Sequence, residues 1–541
     1  MRTGPWRLRV LGVPLALAAL LAAGCSTSAS SGSSATPQSG GTLNMALDSD
    51  PVCVDPSQAE LIASILIGSN IVNTLLVQDP TTGDFLPGLA SSWTENANAT
   101  SFSFKLRSGV TFSNGQALNA AAVKTYFDSV VAMGAKAPDP SEYLVGYSGT
   151  TVTGPLSFTV TFSKGNAQFP TALTTTSLGI LAPATMAASL ADRCAGKDLY
   201  GTGPFVLQSY TPNESVVLVK RKGYNWSAAL AALAKHSGPA YLNTININIE
   251  PDSSVRAGSL KSGQVDLATL IAPQDESTFE GNGFRILSRI NSGIVEGMVP
   301  NMSGSTILQD PKVREAIQLG INRQQISETL SPSYGVASSV VGSPTIGYVN
   351  LSSDLTADPA QAEAILNADG WKLGSNGIRE KNGQQLSLSI IYFYDANVVQ
   401  VAQQQLRAIG VNLQLKLLTA AQYEAELPTG NYDFAQSALA HQDPDSIRSV
   451  FSSTTGDNRA WLKSSDPGVT TFDAIEQQQL QTSNLATRLK LAGEAQQILI
   501  QDNYMFPMAQ LAQVAGVSDK LTGVYYSAAG YLNFYNASLS G

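Results

Sequence analysis

Apolar and polar residues alternate with period two in several stretches, which predicts half-buried strands at Phe102, Phe104 and Leu106, at Phe158, Val160 and Phe162, and at Ile245, Ile247 and Ile249. Helical spacing replaces the alternation at Asn119 to Val131, where Val123, Tyr126, Phe127, Val130 and Val131 form one stripe behind Asn119 as N-cap. Another helix start is written at Asp310-Pro311, ahead of Val313, Ile317 and Ile321. There Asp accepts from the free amides and Pro fits the first helical position. Leu386 to Phe393 reads as a strand, Asn397 to Ala408 as a helix and Val411 to Leu417 as a strand, a unit expected to be parallel and right-handed. The body is therefore sheet-rich near 80–200 and alternates strand and helix near 200–290 and 300–500. At 541 residues it has room for about three domains.

The first forty residues follow a different pattern. Arg2, Arg7 and Arg9 precede an uncharged apolar run from Val10 to Ala23, too short for a permanent membrane span and suited to a secretory signal, 1–24. Leu21-Ala22-Ala23-Gly24-Cys25 resembles the bacterial lipobox, whose cysteine is acylated and becomes the new amino terminus. The alternative is an ordinary signal with an incidental cysteine. Ser26 to Gly40 is small and uncharged and reads as a flexible tether, so 25–40 is expected to hold the body to a membrane by lipid at Cys25. That leaves Cys53 and Cys194 in an oxidising compartment, where a disulfide is expected and two separate buried thiols are the alternative.

Composition narrows the chemistry. The net charge of −9 becomes more negative once the leading arginines are removed, which argues against nucleic acid as a partner. With His236 and His441 the only histidines, no zinc or other metal site is expected. No G-x-S-x-G, Ser-x-x-Lys, H-E-x-x-H, Walker loop or G-x-G-x-x-G occurs. Paired carboxylates for glycoside hydrolysis are a property of the fold and stay open, but nothing in the sequence supports an enzyme.

Read in order, the segments resemble the large extracytoplasmic solute-binding proteins of ABC importers, the family 5 oligopeptide and dipeptide-binding lipoproteins. The likeness is carried by Gly40-Gly41-Thr42-Leu43 through Asp48 and Val54-Asp55-Pro56; by Leu86-Pro87-Gly88-Leu89-Ala90-Ser91-Ser92-Trp93 with Lys105-Leu106-Arg107-Ser108-Gly109-Val110 and the turn Asn114-Gly115; and by Gly201-Thr202-Gly203-Pro204-Phe205 with Arg221-Lys222-Gly223-Tyr224-Asn225-Trp226. Leu260 to Asp266, Asp310 to Ile317, and Ala362 to Leu366 with Gly370-Trp371 complete it. Most of these residues are expected to be structural, with Trp93 and Trp371 in the core and Arg314 in a salt bridge. The resemblance implies an α/β fold of the periplasmic-binding-protein-like type II, in its large three-domain form with a ligand cleft between two lobes. Carried onto this chain, lobe I is 41–80, 200–295 and 506–541, the extra domain II is 81–199, and lobe III is 296–505.

The implied function is capture of a small extracytoplasmic ligand, a short peptide first and an oligosaccharide or nickel chelate as alternatives, for delivery to ABC permease subunits. A surface hydrolase on the same fold is the reading outside that class. No cofactor is expected, and the protein is expected to be a monomer. In peptide-binding relatives a Gly-Trp after a strand of the second lobe is followed by an aspartate that pairs with the ligand's ammonium. Here that stretch is Leu439-Ala440-His441-Gln442-Asp443: with Leu439 at the Trp position, Gln442 falls at the aspartate and Asp443 lies one residue on. Asp443 is then either the anchor or the cap of a helix begun by Pro444. The loop Asp48 to Val52, with Asp50 and Val52, is placed by the resemblance against an extended ligand. Tyr392 and Tyr394, near the end of a strand, either line a pocket or pack in the core.

Overall fold

The alternating segments form strands and the capped segments form helices in the computed structural model of the chain, which describes residues 37–540 apart from 60, 227–235, 305 and 395. The expected export signal 1–24, Cys25 and the expected tether as far as residue 36 lie outside the described residues. Asn119 accepts from the Ala122 amide at 2.9 Å and starts the helix Ala120–Met133, whose Val123, Tyr126, Phe127 and Val130 are buried while Val131 faces outward. Asp310 accepts from the Lys312 amide at 2.9 Å and starts Pro311–Gly320, with Ile321 just past its end.

A seven-stranded sheet runs in the order Phe284–Ile290, Ala512–Ser518, Leu267–Thr269, Thr42–Leu47, Thr244–Ile249, Ser215–Lys220, Phe205–Thr211. Its centre pairs in parallel with Leu43 beside Ile245 and Met45 beside Ile247, so the alternation puts these four on one buried face. A separate antiparallel sheet comprises Ala90–Glu95, Ser101–Leu106, Ser157–Phe162 and Tyr147–Gly154. Its Phe102, Phe104 and Phe158 share one continuous apolar cluster with Leu43, Met45 and Ile245, so residues 81–199 pack as an extension of the first sheet rather than around a core of their own.

The second large sheet runs Gly335–Val336, Phe506–Gln510, Gly293–Pro300, Phe434–Ala440, Ser387–Tyr392, Asn412–Leu417. The expected strand-helix-strand unit is its edge: Ser387–Tyr392 and Asn412–Leu417 pair in parallel, with Ala396–Ala408 between them in sequence. One face packs on Pro311–Gly320 and Ala396–Ala408 and the other on Pro467–Leu480 and Leu485–Gln501. Coverage on both faces explains why all eight residues of Gly293–Pro300 are buried. The chain crosses between the large sheets at Asn291–Ser292 and returns at Leu511, where the Asn291 amide donates to the Leu511 carbonyl at 2.9 Å. These crossings lie a few residues from the boundaries expected at 295 and 505.

The recurring motif residues hold these pieces together. Arg107 donates to the carbonyls of Gly88 and Pro87 at 2.6 and 3.2 Å, tying the Leu-Pro-Gly block to the strand that follows it. Arg221 reaches the carbonyls of Gly201 and Thr111 and lies over the Trp226 ring at 4.8 Å. Gly201 must be glycine, because a Cβ there would sit 2.0 Å from the Ile71 carbonyl oxygen. Arg314 departs from expectation: among the described residues it makes no salt bridge but donates to the Leu308 and Asp502 carbonyls and lies over Tyr504. Trp371 is buried, whereas Trp93 is half-exposed.

Cys53 and Cys194 are joined across 141 positions, and beside them Asp55 and Arg193 form a buried ion pair at 2.6 Å. Closing a loop of that length restricts the unfolded chain by about 5 kcal/mol in the chain-entropy model. Reduction, or the Cys53→Ser/Cys194→Ser pair, is therefore expected to lower unfolding free energy by several kcal/mol in denaturant titration without loss of helix content.

Candidate functional site

Strand Phe434–Ala440 ends against the first crossing: the His441 amide donates to the Ser292 carbonyl at 3.1 Å, and Gly342 donates to Gly293 at 2.8 Å. Gly293 is in the left-handed region at φ 98°, and a Cβ there would lie 2.1 Å from the Leu439 carbonyl oxygen. The close approach fixes where residues 439–443 point.

Asp443 is fully buried. Both of its oxygens bond the guanidinium of Arg488, one at 2.8 Å, and one also accepts from Thr171, while the Asp445 amide donates to it at 2.9 Å. Burial alone would raise its carboxyl, but the charge and hydrogen bonds of Arg488 and the Thr171 hydroxyl outweigh burial and hold it below the usual range. Its bond from the Asp445 amide has the Asp-Pro geometry seen at Asp310 and leads into the turn ahead of Ser446–Phe451. Behind it Gln479 accepts from Arg488 at 3.0 Å and donates to Asp445, which holds Arg448 bidentately. Glu476 is buried in the same cluster, and burial first, then the charge of Asp445, pushes its carboxyl well above the usual range.

Two adjoining cavities open beside this loop. One, of about 90 Å³, is lined by neutral polar groups including Ser69, Asn73, Gln78, Thr174, Gln442 and Asn533. The other, of about 80 Å³, is lined by Leu439 to Gln442, Ser292, Asp139, Glu142, Tyr143 and Tyr531. Gln442, Thr176 and Ala529 border both. The walls come from the helix Ile62–Ile71 with the segment after it, the C-terminal segment 527–533, the end of strand Phe434–Ala440 and the 81–199 extension. Contacts across them include Thr174 to Gln442 at 3.0 Å and the Tyr143 and His441 rings 5.4 Å apart. No lysine or arginine lines either cavity.

Leu439, Ala440, His441 and Gln442 are thus brought together at the cavities, and the other sequence candidates are not. Asp50 accepts from the Tyr210 hydroxyl at 2.6 Å and from the Asn213 amide, which turns its loop toward the edge hairpin, and Val52 is 70 % exposed. Tyr392 is packed in the core of the second sheet. Tyr394 is half-buried beside Phe393, and burial of its hydroxyl first, then the charge and hydrogen bond of Glu296, hold that hydroxyl well above the usual range. The residues sequence reasoning missed, Glu142, Tyr143, Thr174 and Tyr531, come from segments with no motif.

Residues 84–460 match the family model described as bacterial extracellular solute-binding proteins, family 5 Middle. The chain belongs to that family of ABC-transporter binding proteins. It is 24 % identical over 485 residues to the glutathione-binding protein GsiB of Escherichia coli K12, covering 83 % of this chain and 85 % of GsiB. Its fold is similar to that of NikA from Brucella suis, solved in complex with Fe(III)-EDTA (TM-score 0.79, 21 % identity, 92 % of this chain and all of that one). It is also similar to that of the oligopeptide-binding protein AppA of Bacillus subtilis, solved with a nonapeptide (TM-score 0.71, 19 % identity, 94 % and all). The fold is the large type II periplasmic-binding-protein fold.

Breaking a buried pair by removing one partner costs about 3–5 kcal/mol, so Asp443→Asn is expected to lose that much in urea unfolding at neutral pH. Because the folded-state carboxyl is depressed, its stabilisation is present above the unfolded value near 4 and is lost as pH falls through the folded value. The difference between wild type and variant is therefore expected to shrink in acid. Glu476→Gln, which copies the protonated acid, is expected to leave neutral-pH stability unchanged or higher.

Proposed function

We propose that the protein is a lipid-anchored receptor of an ABC importer, held to the extracytoplasmic face of the membrane through Cys25, which captures a short peptide between its two sheet bodies and hands it to the permease. In this reading the lobes are 41–80, 200–290 and 512–540 on one side and 293–510 on the other, with 81–199 added to the first. The observation that carries it is the pair of adjoining cavities at the end of Phe434–Ala440, walled by both bodies where the chain crosses between them. Bodies joined by short crossings can rotate with little strain, and closure buries a ligand from water.

The peptide assignment draws support from the names of relatives, one binding glutathione and one solved with a nonapeptide. It also draws on a cavity lining of amide and hydroxyl groups, the partners that a peptide backbone needs. A chelate would have to bring its own ligands, since among the described residues no group of three or more His, Cys, Asp or Glu could hold a metal ion. Among the described residues no helix is long and apolar enough to cross a membrane, so the reading assigns attachment to the lipid on Cys25.

Two measurements test the reading. Protein purified without unfolding is expected to release a peptide on denaturation, identified by mass spectrometry; release of a sugar or a metal chelate instead would replace the ligand assignment. Cys25→Ala, expressed in a bacterial host, is expected to leave the membrane fraction with its fold unchanged, and membrane retention of that variant at high salt would contradict the lipid anchor.

A further inference from the structure

The second cavity has a charge asymmetry in its lining. Asp139 and Glu142 face it from the short helix Pro138–Tyr143 of the extension, and His441 faces it from the end of Phe434–Ala440. His441 is only 7 % exposed, yet its Nε2 has no hydrogen-bond partner. The Glu142 Oε1 is likewise buried without one. His441 Nδ1 lies 2.9 Å from the Asp443 carbonyl oxygen and 3.1 Å from the Asp443 amide, so that nitrogen is engaged by the loop and Nε2 is the one left to the cavity. One wall therefore offers carboxylate oxygens and the facing wall an unpartnered imidazole nitrogen. Burial, opposed in part by His441 and Arg448, holds the Glu142 carboxyl above the usual range, as befits a carboxylate lacking a cation. Arg448, the cation acting from behind, is already held bidentately by Asp445.

The geometry points to a seat for a protonated amine formed by Glu142 with Asp139, in which His441 Nε2 hydrogen-bonds a polar atom next to that amine on the same solute. The remainder of the solute extends past Gln442 into the neutral cavity lined by Asn73, Thr174 and Asn533. Asp443, the acid nearest in sequence, is spent on Arg488, so the cation partner comes from the 81–199 extension and not from the strand end. The seat rests on the interlobe cavities being the solute site. It adds to that reading the sign of the charge accepted and the residue that accepts it. A solute ending in a carboxylate at this position would meet two carboxylates in a cavity with no lysine or arginine in its lining, so the seat also selects against acids.

The test uses wild-type protein and Glu142→Gln, stripped of bound solute by unfolding and refolding. The substitution keeps the shape and removes no bond that Glu142 Oε1 makes, so the variant is expected to melt at or above the wild-type temperature. Each protein is titrated calorimetrically with a mixed library of tri- to pentapeptides, with the same library N-acetylated, with spermidine and arginine, and with a panel of uncharged sugars. The expected result is that wild type prefers the free library over the acetylated one by at least about 30-fold, the lower end for truncating a desolvated charge pair, and that Glu142→Gln loses this preference. Equal affinity for free and acetylated peptides, or a preference that survives in the variant, overturns the seat while leaving a peptide receptor intact. Binding of sugars with none of the amine-bearing probes overturns the seat and the peptide assignment but keeps the receptor. Binding of nothing to refolded wild type overturns the seat and counts against the cavities as the solute site.

Discussion

A carboxylate taken fully out of water has to be paired, and the shape of the interlobe region follows from how Asp443 meets that demand. Arg488 neutralises it from within the second body, and Thr171 donates to it from the extension of the first. The loop 441–445 is thereby pinned from behind, and its forward side, His441 and Gln442, is presented to the cavities. Gln479 links this pair to a second one, Asp445 with Arg448, so two charges of each sign lie under the site without either guanidinium reaching it. An isolated buried pair adds little to stability against an apolar substitute. Its consequence here is positional: the cluster fixes a loop that is otherwise held by backbone bonds to a crossing strand.

The same arrangement couples closure to recognition. Thr171, Thr174 and Tyr143 of the extension touch Asp443, Gln442 and His441 of the second body, so the contacts that bring the bodies together involve the residues beside the cavities. At the other side of the crossings Glu276 accepts from Ser331 and Ser333 at 2.6 Å, a second polar tie between the two bodies. The cavities are small beside the several hundred Å³ that an enclosed ligand of drug size needs. A solute larger than an amine and its neighbouring atoms is therefore accommodated only when the bodies part further than they do here.

Much of this was legible in the sequence, and what was not has a physical reason. Strand and helix periods located Ser101–Leu106, Ser157–Phe162, Thr244–Ile249 and Ala120–Met133, because burial on one face imposes them locally. The motif blocks identified the family, and the structure shows why they recur: Arg107, Arg221 and Gly201 make contacts that no other side chain, or none at all, would satisfy. The site was legible only in part. Leu439 to Gln442 were singled out by the family resemblance, but the partner of Asp443 lies 45 residues away in another helix, and no local pattern announces it. Glu142 and Tyr531 reach the cavity through the packing of the extension and the C-terminal segment, which is set by tertiary register. Asp50 and Tyr392 were drawn elsewhere by partners that sequence could not show, Tyr210 in one case and an apolar core in the other.

The central claim is that a solute is enclosed between the two sheet bodies at the end of strand Phe434–Ala440. A crystal structure of the protein grown with a mixed library of short peptides tests this most directly. The account predicts electron density for a peptide between the bodies, in contact with His441 and Gln442, with the Asp443–Arg488 pair intact behind them. Density for a peptide on another surface, with the interlobe cavities still closed, would contradict it.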